Sequence, residues 1–427
     1  MKQLIKVKSE AYFDEVVAIR RQLHQHPELS FCEKETAELI KRCLASKNID
    51  FQSDIAGYGV VATIFGTAQP SEKPLSFRAP QARGTSSAKT VALRADLDAL
   101  PIQEITDLPY RSVNDGVMHA CGHDAHTAML IGTAFILNDL RDKFSGTIKL
   151  IFQPGEEKLP GGALLMIKEG VLNDVDMIIG QHVYPDLPCG EVGFHAGPYM
   201  ASSDEVNITV KGRGGHAAKP AERGNSVLAA AKIVSEVSRL YPEPCRDVSR
   251  NVSDPGCKET FQETSLLAFG AFHADGTYNV IPSEVTLKGT MRTFDEEKRK
   301  LLKDNILKIS KEIAAEYGCE ADVFIESGYP SLKNDVDLTE KCAAFAKEIL
   351  GEDKVKNLPQ LMTAEDFAWY SQKMPACFYR LGTSNPSKGI VAKQHTSTFD
   401  IDENAMRIGM ETMVWITHAL SQRDIKE

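Results

Sequence analysis

No stretch of this 427-residue sequence combines the features that mark a disulfide framework, a membrane span or a nucleic-acid surface. Its nine cysteines, an odd number, stand at positions 32, 43, 121, 189, 245, 257, 319, 342 and 377, and none forms a C-x-x-C pair. That usage fits reduced thiols in a cytoplasmic protein and argues against a disulfide scaffold. The opening "MKQLIKVKSEAYFDEVVAIRRQLH" scatters charges where an export signal needs a continuous apolar core, so no export is expected. No apolar run approaches the roughly 20 residues that cross a bilayer. The formal charge of −10 is spread along the chain with mixed signs and no basic block or tail, so neither nucleic acid nor an anionic membrane is an expected partner. Internal repeats and low-complexity tracts are also lacking.

What is present has the composition of a globular protein, 42% apolar and 25% charged, in a chain long enough for two domains. Periodicity predicts helices over 11–26 and 33–47 and a strand over 58–66. The Pro-, Ser- and charge-rich segment 67–89 is read as an exposed loop. Strands over 90–101, 146–154 and 175–183 then alternate with helices over 126–140 and 161–170. Such alternation predicts an α/β fold with a mainly parallel sheet covered on both faces. Near residue 190 the texture changes to a β-α-β-β pattern, a strand at 203–215, a helix at 225–241 and two strands before 295. The expectation is therefore an inserted α+β domain at 187–297 within a larger domain made of 1–186 and 298–427. A long helix near 295–317, a strand near 320–327, helices near 337–350, 364–373 and 403–421 and a strand at 376–382 complete the reading.

In open α/β sheets ligands bind beyond the carboxyl ends of the strands. Polar groups fall at such places four times: Asp96 and Asp98 in "RADLDALP", the cluster "HACGHD", Glu156 and Glu157 in "QPGEE", and His182 in "GQH". Singly, each has an ordinary explanation, since acids cap helices and adjacent glutamates often form a solvated turn. Jointly, Cys, His, Glu and Asp at the ends of neighbouring strands are the residue types that hold a zinc-like ion. Cys121 and His123 can aim at one point if Gly122 bends the backbone. The start of a helix would also favour a thiolate at Cys121. In "QPGEE" one carboxylate can hold a metal while its neighbour acts as general base, the division of labour a hydrolase needs. Asp124 is read as a helix cap or ligand support, and His119 and His126 as supporting or structural groups.

These motifs, with "RRQLHQHPELSF", "ALRADLDALPIQE", "GQHVYPDLPCGEVGFHAGPYMAS", "VKGRGGHAA", "NVIP", "GTMRTF", "TAEDFAWY" and "QHTSTFDIDE", run almost end to end in one order. In them the chain resembles the amidohydrolase branch of the family-twenty metallopeptidases, the aminoacylase-like dinuclear metal hydrolases that include hippurate hydrolases and indole-acetyl-amino-acid hydrolases. The resemblance implies a zinc-peptidase-like catalytic domain with an inserted lid that also serves dimerisation. It implies two divalent ions per subunit, zinc first, with manganese, cobalt or nickel as alternatives. The ligands it implies are Cys121, likewise the bridge between the ions, with His123, Glu157, His182 and His395. Glu156 is implied as general base, Asp98 as an orienting group, and His216 as the group that polarises the scissile carbonyl, often of the partner subunit's substrate. Asn279 and Arg292 are implied to bind substrate, a role that bidentate Arg-carboxylate pairing makes physically sensible. Arg292 alone also reads as a surface ion pair.

The implied activity is hydrolysis of N-acyl amino acids by metal-activated water in a homodimer. A dipeptidase or carboxypeptidase of the same family is the alternative, and a non-catalytic metal-binding dimer is the alternative of another class. The cysteine in C-G-H-D favours the first, because peptidase relatives usually carry an aspartate there. The chain departs from the family in 67–89, in 243–263, and in "KPAERGNSV" after "GGHAA".

Overall fold

A computed structural model describes residues 1–68, 89–239 and 265–422. The segment 243–263 and all but the ends of 67–89 lie outside the described residues. The chain divides into two compact units, one of Met1–Gly197, Asn334–Leu358 and Trp369–Glu427, the other of Pro198–Lys333 and Pro359–Ala368. Among the described residues no helix is long and apolar enough to cross a membrane.

The first unit is built on an eight-stranded sheet. Strands Thr147–Gln153, Thr90–Asp96, Met177–Pro188 and Ala376–Ser384 lie side by side at its centre, parallel throughout. They are buried almost throughout, the pattern of a sheet covered on both faces. Antiparallel pairs flank them, with Gly59–Phe65 against Thr147–Gln153 on one side and Val192–Phe194 against Ala376–Ser384 on the other. The expected mainly parallel α/β architecture is therefore present.

Helix His123–Asp139 is buried on every side from His123 to Leu137. This is why its sequence is apolar without a polar face. It packs with the first helix, Lys2–Gln25, and the last, Asn404–Ser421. The first helix starts nine residues earlier than the predicted 11–26, since Ile5 and Ser9 extend its buried stripe of Val16, Ile19 and Leu23 back through the charged opening. In place of a helix over 364–373 there is only the short turn Ala368–Ser371, because the Glu365 side chain accepts the Phe367 N–H and competes with the helical pattern.

The second unit holds a four-stranded antiparallel sheet in the order Leu266–His273, Glu284–Arg292, Asp204–Gly212, Cys319–Ser327. Alternate residues Val206, Ile208 and Val210, with Val285 and Leu287, face Ile233 and Val237 of helix Ser226–Ser238 and Leu302 and Ile306 of helix Glu296–Glu316. The unit thus runs past the expected 187–297. Strand Cys319–Ser327 pairs along the whole of Asp204–Gly212, and helix Glu296–Glu316 contributes to the same core. A βαββ reading that stops at 297 leaves that edge of the sheet, and the apolar face of the helix, uncovered.

Candidate metal centre

The parallel strands deliver the candidate donors to one end of the sheet. Asp96 closes its strand in register with Gln153, the last residue of the neighbouring strand, and the turn Pro154–Gly155–Glu156–Glu157 follows. On the other side His182 lies in Met177–Pro188, two residues beyond the Gly180 that pairs with Arg94. Helix His123–Asp139 opens directly over this edge. Gly122 precedes it with φ +89°, and a Cβ there would stand 2.5 Å from Val183 Cγ2. Only glycine fits that bend without strain, so the turn between Cys121 and His123 requires the residue the sequence provides.

Ligand-type atoms of Cys121, His123 and Glu157 lie within 4.8 Å of one another. Cys121 Sγ is 3.6 Å from His182 Nε2, and Glu157 Oε1 is 3.3 Å from His395 Nε2. All five residues named as ligands therefore meet in one place. His395 sits in the left-handed region at φ +60°, a conformation costing a non-glycine residue about 1 kcal/mol or more. Its N–H donates to Ala120 O, which ties the loop to the residue before Cys121.

The histidines are set in tautomers that aim lone pairs inward. His182 Nδ1 donates to the Val183 carbonyl at 2.8 Å, leaving Nε2 directed at Cys121. His123 Nδ1 donates to Asp98 Oδ1 at 3.2 Å, while its Nε2 is buried with no hydrogen-bond partner. Glu157 Oε1 is out of contact with solvent as well, with His395 Nε2 3.3 Å away and His123 Nε2 at 3.9 Å. Lone pairs converging on a thiol, one of them with no donor at all, are costly in a protein interior unless something accepts them. A divalent cation is the species that fits, and a His–carboxylate pair such as His123–Asp98 is the usual support for a metal ligand.

The electrostatics agree. Burial, with the Glu157 charge, pushes the Cys121 thiol up. The expected help from the helix terminus is thus outweighed, and a cation would have to draw off that proton. His123 is raised despite burial, chiefly by Asp96 and Cys121, and His395 is raised to about 10 by hydrogen bonds with Cys121 and Glu157. Protons thus gather where cations would neutralise the cluster. His182 is lowered by burial and by His126 and stays neutral, as a ligand must.

His126 belongs beside this set, not in it. Its Nδ1 donates to Asp96 Oδ1 at 2.6 Å and its Nε2 accepts the Val183 N–H at 2.9 Å, so neither nitrogen is available. His119 is buried with both nitrogens unpartnered, and burial lowers it to about 4. Asp124 does not cap the helix. It pairs with the buried Arg20 at 2.8 Å and with His24 at 2.8 Å. Asp98 Oδ2 accepts both the Glu157 N–H at 2.8 Å and the Ser30 hydroxyl at 2.6 Å. Glu156 is buried at 6% exposure beside Glu157. Sequence reading missed Arg20, His24, Ser30 and Glu33 as supports. Their only signal was membership of the N-terminal motif and the few residues after it.

The second unit brings His216 and Asn279 together. Gly215–His216 pairs with Val280–Ile281, and the Ala217 N–H donates to Asn279 O. His216 is exposed, and its Nδ1 accepts the Ala218 N–H at 3.1 Å, which puts its proton on Nε2. Arg292 is not beside them. It ends the strand that begins at Glu284, a few residues after Asn279. Nine residues at about 3.3 Å each separate the two ends by on the order of 25 Å.

A parallel α/β domain with cysteine, histidine and carboxylate donors at its strand ends has the design of a metal-dependent hydrolase. The chain belongs to the peptidase family M20/M25/M40, whose profile matches residues 92–417, and it is a hydrolase of that family. It is 37% identical over 403 residues to an N-acetylcysteine deacetylase of Bacillus subtilis, covering 94% of this chain and 95% of the other. It is 34% identical over 409 residues to thermostable carboxypeptidase 1 of Saccharolobus solfataricus, covering 95% and 94%. A crystal structure of a dinuclear metal-binding M20 peptidase from Bacillus subtilis superposes with a TM-score of 0.77 at 32% identity, covering 96% of this chain and 98% of that one.

Proposed function

We propose that the protein is an N-acyl-amino-acid amidohydrolase that cleaves the amide between a small acyl group and an amino acid. The observation that carries this reading is the convergence of the unpartnered His123 Nε2 and a Glu157 carboxylate oxygen on Cys121, with a buried glutamate, Glu156, adjacent in sequence. In this reading Cys121, His123, Glu157, His182 and His395 hold two divalent ions, with zinc favoured by the thiol and imidazole donors and manganese, cobalt or nickel able to replace it where they are more available. Such ions supply Lewis-acid activation of water near neutral pH.

The chain's own groups do the rest. Glu156 takes the proton from the attacking water and delivers it to the leaving amine, so one water is consumed and a carboxylic acid and a free amino acid are released. Asp98 fixes the His123 ring and the Glu157 backbone. His216 offers its Nε2–H to the scissile carbonyl oxygen, and Asn279 and Arg292 bind the substrate's backbone and carboxylate. His216 and Asn279 stand at one end of the strand Glu284–Arg292 and Arg292 at the other, too far apart to grip one small substrate from a single copy. A homodimer through the inserted domain, each copy lending His216 to its partner's site, reconciles that geometry. The seven described cysteines are all free, which supports a reducing cytoplasmic setting.

The test is metal analysis of protein purified without chelator, followed by a panel of N-acetyl and N-benzoyl amino acids and dipeptides. Preferential cleavage of the acylated amino acids supports the proposal. Preference for dipeptides would favour the peptidase alternative, which the carboxypeptidase relative motivates. Inactivity across the panel with metal bound would leave a non-catalytic metal-binding dimer.

A further inference from the structure

The general-base turn is held from an unexpected direction. Between the first helix and helix Lys34–Ser46 lies a short connection, and three of its residues reach the far side of the metal centre. Glu33 is fully buried, and its Oε1 accepts the Gly155 N–H at 2.7 Å. Phe31 packs its ring on the same glycine, where a Cβ would approach Phe31 Cε1 and Cζ to 2.4 Å. Gly155 has φ +63° and Phe31 φ +63°, so both chains are fixed in left-handed conformations at their contact. Ser30 donates to Asp98 Oδ2 at 2.6 Å, the same oxygen that accepts the Glu157 N–H. Backbone, ring and hydroxyl contacts thus bracket Glu156 and Glu157 on both sides.

We infer that Ser30, Phe31 and Glu33 form a positioning clamp that sets the turn Gly155–Glu157 and, through Asp98, the orientation of the site. The clamp rests on the proposed function for its purpose, not for its geometry. Glu33 acts as a hydrogen-bond acceptor, so its amide analogue should serve. Groups that orient ligands from behind typically change metal affinity by about 10–100-fold when removed.

The experiment measures zinc affinity by chelator competition and amide exchange of the peptide covering residues 153–158 in Glu33→Ala, Glu33→Gln and Ser30→Ala. Glu33→Ala should raise the zinc Kd by about 10-fold or more and speed exchange at Gly155. Glu33→Gln should stay within about threefold of the parent and keep its protection, because the amide oxygen still accepts the Gly155 N–H. Ser30→Ala, a half-buried change that spares the core, should raise the zinc Kd several-fold. Unchanged exchange and affinity in Glu33→Ala or Ser30→Ala overturns the clamp, as does Glu33→Gln behaving like Glu33→Ala. Neither readout needs a substrate. Should the parent hydrolyse nothing while exchange and zinc binding shift as stated, the clamp stands and the amidohydrolase reading falls.

Discussion

Asp98 holds His123 from behind, its Oδ1 3.2 Å from His123 Nδ1, while its other oxygen takes the Glu157 N–H at 2.8 Å. One carboxylate therefore orients two of the proposed ligands, one through a side chain and one through the backbone. Asp98→Ala should weaken zinc binding by about 10–100-fold and lower kcat, whereas Asp98→Asn should weaken it less, since an amide oxygen can still accept one of these bonds. Chelator competition on both variants checks the order. Equal zinc affinity in Asp98→Ala and the parent would remove the orienting role.

In the proposed mechanism Glu156 is a base and not a ligand, and one substitution separates these roles. Glu156→Gln keeps the shape of the buried side chain but cannot take a proton. It should retain parent metal content and lose turnover by about 10²–10⁴-fold. Loss of metal in the same variant would make Glu156 a ligand, and unimpaired turnover would end the mechanism.

Gly122 sets the angle between Cys121 and His123. Gly122→Ala places a Cβ 2.5 Å from Val183 Cγ2 on a backbone with φ +89°. The strain is about 1–3 kcal/mol, and the helix start must shift to relieve it. The expected outcome is a lower melting temperature together with weaker zinc binding, read by calorimetry and metal titration. An unaltered metal affinity would mean that the bend is not needed for ligation.

Glu33 gives the metal-free protein a defined pH signature. Burial, aided by the Asp98 charge, raises its carboxyl from 4.5 to about 7. A carboxyl raised on folding binds its proton more tightly in the folded state. Its contribution is complete below about 4.5 and is lost as pH rises to about 7, a change on the order of 3 kcal/mol at most. Glu33→Gln, which cannot ionise, should therefore gain stability over the parent between pH 5 and 8. Parallel denaturation curves for the two proteins across that range would show that Glu33 does not carry the effect.

The candidate donors Cys121, His123, Glu156, Glu157 and His182 were legible as a group because strand ends are where an open sheet binds its ligand, whereas His395 and the separate roles within the group came only from the family resemblance. The supports were not legible. Ser30 and Glu33 sit in polar, helix-flanking sequence and Arg20 within a charged helix, all of which read the same whether solvated or buried, and only tertiary packing makes Arg20 and Glu33 interior. His126 shows the converse limit. Its residue type suits a ligand, yet the Val183 N–H and Asp96 occupy both nitrogens. The inserted unit was recognised by its change of texture, but its far edge at Cys319–Ser327 depends on pairing with a strand more than a hundred residues earlier, which local periodicity does not reveal.

The separation of His216 from Arg292 yields the sharpest test of shared sites. If each site takes Arg292 from one subunit and His216 from the partner, His216→Ala and Arg292→Ala should each be nearly inactive alone. Mixed and allowed to exchange subunits, half of the dimers become hybrids, and each hybrid has one site with both groups intact. Activity should then recover to about a quarter of the parent value for random pairing. The recovery cannot arise from either parent dimer, because each lacks one group in both of its sites. No recovery in a mixture whose subunits demonstrably exchange would mean that every site draws on a single chain, and a monomeric mass in solution would exclude the shared arrangement outright.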